Sequence, residues 1–224
     1  MFAWDWDYTL EILPILGKAS LITLKATILG FLLAAFVGIV LALLGMSRVV
    51  FIRWLAKGFV EVIRSTPLLI QIFFLYYVMP EFGLSLGAMT TGILALGLHY
   101  GCYCAEVYRA GLDNIPKGQW EAATALNLSL VVTFRDIIIP QAIPPVVPAL
   151  GNYLIALFKE TPLLSAIAVL ELMQEAKILG AESFQYNEPI TLVGLFFLLF
   201  SIVSSMLIRQ VERLLYLRHG GVSR

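Results

Sequence analysis

The sequence has few charged side chains: lysine, arginine, aspartate and glutamate make up only 13% of its 224 residues. A soluble domain usually carries about 25% charged and about 45–50% apolar residues. In this chain 60% of the residues are hydrophobic, and the mean hydropathy is +0.89. A water-soluble core of this length cannot bury so much apolar surface, so lipid must be the solvent for much of the chain. The composition excludes a soluble globular protein and predicts an integral membrane protein.

Motifs of enzymatic chemistry are also absent. No G-x-x-x-x-G-K-[ST] sequence occurs, so the chain lacks that phosphate-binding loop and ATP hydrolysis would need a partner. The two cysteines, Cys102 and Cys104, lie in an apolar segment without a second pair, which favours packing over a metal site or a disulfide. With no metal-ligand cluster and no nucleophile elbow, we predict no catalytic residue, no metal site and no cofactor in this chain. An intramembrane enzyme is therefore disfavoured.

The N-terminus gives no sign of a cleavable signal peptide. Residues 1–11 carry three acidic side chains, at Asp5, Asp7 and Glu11, and lack the basic region that such a peptide needs. Trp4 and Trp6 precede the first apolar stretch, at the position of an interfacial aromatic belt. We therefore expect the N-terminus to remain on the mature protein, close to the membrane surface.

Five apolar stretches are long enough to span a bilayer, which needs roughly 20 residues. They cover residues 19–46, 52–79, 88–108, 144–170 and 189–208. Charged residues interrupt the first half of the second stretch, and Lys159-Glu160-Thr161-Pro162 interrupts the fourth. The sequence thus predicts an all-α membrane protein in which residues 1–224 form a single domain with five transmembrane helices.

Basic residues are concentrated on one side of this predicted bundle. Those that follow the first, third and fifth stretches are Arg48, Arg53, Lys57, Arg64, Arg109, Lys117, Arg135, Arg209, Arg213, Arg218 and Arg224. On the other side, the loop around Glu81 has no base, and residues 171–188 contain four glutamates but only Lys177. The positive-inside rule then predicts an N-terminus outside and a C-terminus in the cytoplasm.

The first stretch carries a small residue at every fourth position. These residues are Ala26, Gly30, Ala34, Gly38 and Ala42. The third stretch repeats the pattern at Gly97, Gly101 and Ala105. Such stripes let helix backbones approach closely in lipid. They predict a compact bundle and leave two equal alternatives, packing within the chain or a subunit interface.

The longest polar stretch inside the bundle, residues 109–140, is predicted to lie in the cytoplasm. Residues 119–126 are strong helix formers, and Asn127 tolerates the left-handed conformation that ends a helix. Ser129 is a suitable cap for a second short helix, which Pro140 should end. The expected pair of helices suits docking into a groove on a partner protein. An ordered loop lying on the membrane surface is an equal alternative on physical grounds.

Within this loop, Glu121-Ala122-Ala123 is followed by Phe134, Ile137 and Ile139-Pro140. The spacing resembles the EAA loop of binding-protein-dependent ABC permeases, which reads E-A-A, then Gly, then I and L-P. Asn127 stands where that family has Gly, and Ile139 replaces Leu. Asn is the next most tolerated residue at a helix C-terminus, so the same turn is expected.

Other parts of the chain extend the resemblance. Residues 61–71 read EVIRSTPLLIQ and resemble the E-x-x-R-G-T-P-L-L-x-Q signature of the polar amino acid subfamily, with Ser65 in place of Gly. YRAG, PKGQ and KETPL, at residues 108–111, 116–119 and 159–163, match it too. Within the subfamily, WEAATALNLS, GNYLIALFKETPLLSAI and ESFQYNEP resemble the ectoine/hydroxyectoine branch.

The resemblance implies an ABC type I importer permease fold in the bacterial cytoplasmic membrane and an import system of several parts. Two permease subunits, as a homodimer or heterodimer, would form the pathway in lipid, two ATPase subunits would hold ATP and Mg, and an extracytoplasmic solute-binding protein would deliver the solute. No nucleic acid partner is implied. The coupling helix would cover about residues 118–128, and its ATPase-coupling residues would be Gly118, Glu121, Ala122, Ala123, Asn127 and Leu128.

Charged residues also lie inside the predicted membrane segments, where they usually face a bundle interior or a water-filled path. Arg64-Ser65-Thr66-Pro67 echoes Lys159-Glu160-Thr161-Pro162, and each proline opens its helix. Matched helix breaks indicate a translocation pathway. The hypothetical pathway residues are Glu61, Arg64, Thr66, Lys159, Glu160 and Thr161. Both signs of charge suit a zwitterion such as ectoine or a polar amino acid; the alternative is that these charges pair with one another to fix the helices.

His99, alone in the third stretch, is predicted to be a packed, hydrogen-bonded residue rather than a proton relay. Two other function classes remain for the chain as a whole. An ion-driven secondary transporter is the main alternative, although a five-segment chain shows no clear inverted repeat. A structural assembly factor would need no substrate path. In an ion-driven transporter the predicted cytoplasmic helix pair would have no role.

Overall fold

The computed structural model describes residues 4–218, and it describes side chains as far as residue 215. Residues 1–3 and 219–224, with Arg224 among them, lie outside the described residues. The described part contains helices and no strands. Its α-helices are α1 (Trp6–Gly45), α2 (Val50–Arg64), α3 (Leu68–Phe73), α4 (Ala88–Asp113), α5 (Lys117–Ala125), α6 (Leu130–Val132), α7 (Ile139–Glu160), α8 (Leu172–Ser183) and α9 (Asn187–Arg218).

Helix α1 begins earlier than the apolar stretch predicts. Its first residue is Trp6 rather than a residue near Ala19, because Asp5 caps the helix and accepts a hydrogen bond from the Tyr8 backbone N–H at 2.9 Å. Asp5 is also held against the start of α9, because its N–H donates to Glu188 Oε1 at 3.2 Å. The added turns place the N-terminal end of α1 beside the start of α9.

The small-residue stripe of α1 packs against α4. Ala26 and Ala34 are completely buried, and a Cβ atom added to Gly38 would lie 2.6 Å from Cys104 Cβ. Gly101 approaches Val37 equally closely, so the stripes of α1 and α4 face each other and the two helices run parallel. This outcome confirms the first alternative, packing within the chain. Cys104 is free and buried in that seam, in agreement with a packing role.

The remaining long helices alternate in direction. Helix α7 runs antiparallel to α4, since Tyr153 meets Tyr100 while Leu164 lies against Gly92. Helix α9 runs antiparallel to α7, since Phe158 is in ring contact with Phe197 at a centroid distance of 4.8 Å while Gly151 lies against Ile208. Therefore α1, α4 and α9 share one direction and α7 has the opposite one.

Three helical stretches in the described part are long and apolar enough to cross a membrane by length and composition. They are Trp6–Gly45, Leu130–Ile167 and Asn187–Leu215. The second predicted stretch, residues 52–79, is not a single straight helix: Val50–Arg64 and Leu68–Phe82 meet at 105° and would count as a fourth span only together. Helix α4 is absent from this set. Its sequence contains His99, three tyrosines and several glycines, which lower the hydropathy of the segment.

The prediction that Pro140 ends a short helix is wrong. Helix α6 continues through a π-helical turn, Thr133–Ile138, into α7, and Pro140 lies at the start of α7. The proline is accommodated there because the π-helical turn ahead of it changes the backbone pattern: the Ile139 N–H donates to the Phe134 carbonyl, five residues earlier. Three further prolines, at 144, 145 and 148, are also contained in α7.

Candidate functional site

The first helix break lies between α2 and α3. Helix α2 ends at Arg64, and α3 starts only after Pro67, because proline has no N–H to continue the helix. The freed carbonyl oxygens of Ile63 and Thr66 accept hydrogen bonds from Gln71 Nε2 at 2.7 and 3.1 Å. The hydroxyl of Thr66 accepts from the same nitrogen at 2.8 Å and lies 3.0 Å from the Val62 carbonyl oxygen, to which it donates.

Gln71 also connects this break to α4. Its Oε1 atom lies 3.1 Å from Nδ1 of His99, which is buried. The hydrogen bond confirms that His99 is a packed, hydrogen-bonded residue. The ring of His99 then contacts Tyr100 and Tyr103 at centroid distances of 5.5 and 5.3 Å.

Three tyrosines, Tyr100, Tyr103 and Tyr153, form a cluster between the two breaks. Tyr153 of α7 lies 6.2 Å from Tyr100 and 5.5 Å from Tyr103, measured between ring centroids. The guanidinium carbon of Arg64 lies 5.1 Å from the centroid of Tyr103, in cation–π range. The tyrosine cluster therefore receives a cation from the first break.

The second helix break supplies an anion to the same cluster. Helix α7 ends at Glu160, and a 3-10 segment, Thr161–Ile167, follows. The Glu160 carboxylate lies close to the Tyr100 hydroxyl, and its Oε2 atom is buried with no hydrogen-bond partner among the described residues. A buried acceptor without a donor is unusual, and a donor on a bound solute would satisfy it.

The other residues predicted for the pathway have different surroundings. Thr161 is fully buried, and its hydroxyl donates to the Phe158 carbonyl at 2.8 Å, so the protein itself uses that group. Lys159 is exposed and makes no ion pair within residues 4–215. The prediction for Lys159 therefore stays a prediction. Within the same described residues, the charges at 61, 64, 159 and 160 form no ion pair with one another.

Glu61 and Arg64 line a charged cavity of about 180 Å³ between α1, α2 and α4. Its other charged residues are Lys57, Glu106 and Arg109. Arg109 and Glu106 form an ion pair with each other across one turn of α4. Small residues of α1 and α4 leave the space open, and Arg64 lies at the boundary between this cavity and the tyrosine cluster.

Sequence reasoning missed the tyrosine cluster. Tyr100 and Tyr103 are three residues apart and therefore share one face of α4, which was a detectable signal. Their convergence with Tyr153 was not detectable, because it depends on the antiparallel register of α4 and α7. Gln71 was visible only as the last letter of a motif.

The loop that carries the Glu-Ala-Ala triplet forms a short exposed helix. Helix α5 ends in a left-handed turn at Asn127, whose φ is 51°. The N–H groups of Asn127 and Leu128 donate to the carbonyls of Thr124 and Ala123 at 2.9 and 3.0 Å, which satisfies the end of the helix. The turn predicted for Asn127 is thus confirmed. Ser129 caps the next helix through the Val132 N–H at 3.4 Å, also as predicted.

The residues predicted to contact an ATPase are divided between two faces of α5. Ala123 is buried and Leu128 half-buried, whereas the exposed residues are Gly118, Glu121, Ala122 and Asn127. The buried face is anchored by Trp120, which meets Phe134 edge to face at 5.4 Å. Beneath them, Ile115 and Ile138 form a small apolar cluster. The exposed face is therefore presented on a fixed support.

An apolar surface adjoins this exposed face. Leu126, Leu130 and Val131 are 71%, 71% and 74% exposed. A shallow groove next to them is lined by Leu130, Val131, Phe134, Arg135 and Ile139. Exposed apolar side chains of this size, grouped beside a short helix, are typical of a protein-docking site.

Comparisons with known proteins agree with this geometry. Residues 26–215 match the family model "Binding-protein-dependent transport system inner membrane component". The chain is 44% identical over 216 residues to the probable amino-acid ABC transporter permease protein y4tG of Sinorhizobium fredii, covering 94% of each chain. It is 34% identical to the L-cystine transport system permease protein TcyB of Bacillus subtilis, covering 93% of this chain and 92% of TcyB.

The fold also matches solved structures. A crystal structure of an amino acid ABC transporter with histidines superposes with a TM-score of 0.89 at 33% identity, over 95% of this chain and 99% of that one. The MetNI methionine ABC transporter in an inward-facing conformation gives a TM-score of 0.72 at 20% identity, over 92% and 98% of the two chains. The second likeness concerns the fold alone.

Proposed function

Because this chain belongs to the family of binding-protein-dependent transport system inner membrane components, we propose that it is the permease subunit of an ATP-driven importer for a small zwitterionic solute. The observation that carries the proposal is helix α5, which is anchored on one face by Trp120 and exposed on the other at Glu121 and Ala122. A rigid helix of this kind transmits force from a partner, whereas a loose loop would absorb it.

The proposed topology has five crossings, with the N-terminus outside and the C-terminus in the cytoplasm. Its support is the common direction of α1, α4 and α9, the opposite direction of α7, and the return of α2 from the end where α1 finishes. With this orientation, α5 and the charged cavity lie on the cytoplasmic side. The bent pair α2 and α3 then serves as one broken crossing.

The proposed pathway runs along the tyrosine cluster. Arg64 would attract the carboxylate of a zwitterion, while the unsatisfied Oε2 atom of Glu160 would accept a hydrogen bond from its cationic group. The tyrosine faces add cation–π attraction for that group. Glu61 extends the path into the charged cavity, and Thr66 shapes the first break through its hydroxyl.

The substrate class is a polar amino acid or a similar zwitterion, including ectoine and hydroxyectoine. Support comes from relatives named for amino acid and L-cystine transport and from the opposite charges of Arg64 and Glu160. The proposed assembly contains a second permease subunit, two ATPase subunits that bind ATP and Mg, and a solute-binding protein outside. Nucleic acid has no part in it.

The test is uptake of a radiolabelled amino acid or ectoine by proteoliposomes that contain the chain, its ATPase and permease partners, and the solute-binding protein. We expect uptake to require ATP inside and to be unaffected by an imposed sodium or proton gradient. Glu121→Arg should lower both uptake and solute-stimulated ATP hydrolysis by about tenfold, because it places a charge of opposite sign on the docking face. Asp113→Asn, an exposed change outside α5, is the matched control.

Uptake that follows an ion gradient without ATP would support the ion-driven alternative and overturn the proposal. Normal ATP-coupled uptake by Glu121→Arg would overturn the role of α5 alone. The two outcomes therefore separate the transport mechanism from the assignment of its coupling surface.

A further inference from the structure

We propose that Gln71 is a positioning residue that, together with His99, fixes the geometry of the first helix break and holds Arg64 over Tyr103. The proposal deepens the proposed function, on which its transport readout rests. The structural part of the proposal does not depend on what the protein transports: the side chains of Gln71 and His99, called the latch below, hold the 105° bend in place.

Three acceptor oxygens converge on the amide nitrogen of Gln71. Nε2 of Gln71 lies 2.7 Å from the Ile63 carbonyl oxygen, 2.8 Å from Thr66 Oγ1 and 3.1 Å from the Thr66 carbonyl oxygen. These are the groups that the break releases from the helical pattern. In an apolar setting an acceptor without a donor is costly. The two amide hydrogens of Gln71 are shared among the three acceptors: they reinforce the 3.4 Å bond from the Thr66 N–H to the Ile63 carbonyl oxygen and supply a donor to the Thr66 carbonyl oxygen.

The hydrogen bonds on its two sides fix the orientation of the Gln71 side-chain amide. The three acceptors require the nitrogen of Gln71 on their side, because the Thr66 hydroxyl already donates its hydrogen to a carbonyl one turn earlier. Oε1 must then face His99, so Nδ1 of His99 carries a hydrogen and donates it at 3.1 Å. His99 thus fixes which way the Gln71 amide points.

The Gln71–His99 pair also adjoins Arg64 and Tyr103 of the candidate site. Ile63 precedes Arg64 directly and Thr66 follows it by two residues, so holding their carbonyls fixes the direction in which the Arg64 side chain leaves the backbone. The ring of His99 also contacts Tyr103 at 5.3 Å, and Tyr103 is the ring beneath the Arg64 guanidinium. His99 consequently supports both members of the Arg64–Tyr103 pair, one through Gln71 and the other directly.

The second break needs no such residue. There the chain continues as a 3-10 segment, and the Thr161 hydroxyl donates a hydrogen bond to the Phe158 carbonyl oxygen at 2.8 Å. The latch is therefore a specific feature of the bent break. Removing it should loosen the first break and leave the second unaffected.

The test uses the full transporter complex and two readouts. Hydrogen–deuterium exchange measures the backbone opening of residues 61–72, with residues 155–168 as an internal reference. The variants are Gln71→Met, which keeps the length but loses the amide, His99→Phe, which keeps a ring but loses the donor, and His99→Asn, which restores a donor. Gln185→Met, at an exposed site, is the matched control.

We expect exchange in residues 61–72 to accelerate about tenfold in Gln71→Met and in His99→Phe, with the double variant no faster than either single one. His99→Asn should restore most of the protection, and the reference segment should not change. In proteoliposomes, the ATP hydrolysed per solute imported should rise in the same two variants, since a loosened Arg64 no longer couples solute to the cycle.

Additive effects in the double variant, equal exchange in His99→Asn and His99→Phe, or matching acceleration in residues 155–168 would each overturn the latch. If Gln71→Met does not assemble, His99→Phe and His99→Asn decide by the other two criteria. A wild-type complex without ATP-dependent uptake would overturn the proposed function instead, and the exchange data would still decide the latch.

Discussion

The two Thr-Pro breaks share a sequence pattern but have different structures. At the first, α2 and α3 meet at 105°, and the side chain of Gln71 satisfies the freed carbonyls. At the second, α7 passes into the 3-10 segment Thr161–Ile167, and the chain remains one long helical stretch from Leu130. At both sites the α-helix is interrupted at the Thr-Pro pair, although the prolines at 144, 145 and 148 leave α7 uninterrupted. The two breaks differ in their bend, because only the first turns the chain by 105°.

The breaks also differ in what they contribute to the tyrosine cluster. The first contributes a cation, because Arg64 lies over Tyr103. The second contributes an anion, because Glu160 approaches Tyr100 while its neighbour Lys159 remains exposed. Each break therefore supplies one charge of the pair that a zwitterion needs, and the local sequence at either break alone would not show it.

The largest effect is expected from a change that disturbs the packing of α1 against α4, on which both breaks depend. Each break is held against α4, and α4 is held by the close seam with α1 around Gly38. In Gly38→Ala the new Cβ would lie 2.6 Å from Cys104 Cβ and 3.1 Å from the Gly101 carbonyl oxygen. Overpacking against a backbone that cannot yield should cost about 1–3 kcal/mol. The measurement is the melting temperature of the purified complex in detergent.

Gly17→Ala is the matched control for that prediction. Gly17 lies in the same helix, and an added Cβ would have no neighbour within 4 Å. Alanine is the better helix former by about 1 kcal/mol, so this change should leave the melting temperature the same or raise it. Equal destabilisation by both changes would mean that the seam is not tightly packed.

An intermediate effect is expected from the charges at the two breaks. Arg64→Met should lower ATP-dependent uptake by about tenfold, since it removes a cation–π contact together with the cation of the pathway. Lys159→Met should lower it less than about twofold, because the Lys159 side chain is exposed and unpaired in the described residues. The measurement is uptake normalised to the amount of assembled complex.

Arg64→Lys sharpens the result, because it keeps the charge and loses the planar guanidinium. Partial uptake by Arg64→Lys would show that charge matters apart from stacking. An equal loss in Arg64→Met and Lys159→Met would contradict the asymmetry between the breaks and favour a pathway that includes both cations.

Much of the fold was predictable from the sequence because its signals are local. The stripe around Gly38 marked a close helix contact, and the left-handed turn at Asn127 followed from the residue type. The break positions followed from Pro67 and Pro162. These features depend on residues a few positions apart, so one-dimensional spacing is enough to locate them.

What the sequence could not predict depends on distant pairs. Gln71 and His99 are 28 residues apart, and Tyr153 reaches Tyr100 from another helix. The error at Pro140 has a related cause: a π-helical turn ahead of the proline changes the backbone pattern that the rule assumes. Register between helices, rather than composition, assembles the candidate site.

The last prediction concerns the region beyond the second break, where Glu171 caps α8 after the spanning stretch has ended. Its carboxylate is completely buried and accepts hydrogen bonds from the Met173 and Gln174 N–H groups at 3.0 and 2.9 Å. Burial raises the pKa of Glu171 to about 7, against the opposing effect of those two hydrogen bonds and of Lys177. The folded protein therefore binds this proton more tightly than the unfolded chain, in which the pKa is near 4.5.

A raised pKa in the folded state means that the contribution of Glu171 to stability is full below pH 4.5 and is lost as the pH rises through about 7. The melting temperature of the complex should fall by roughly 5 °C between pH 5 and pH 8 because of this one group. Glu171→Gln should flatten that dependence, since a neutral amide still offers an acceptor to the cap. Glu175→Gln, on the same helix, should retain the wild-type slope. If both variants show the wild-type slope, the stability of the region after the second break does not depend on the charge of Glu171.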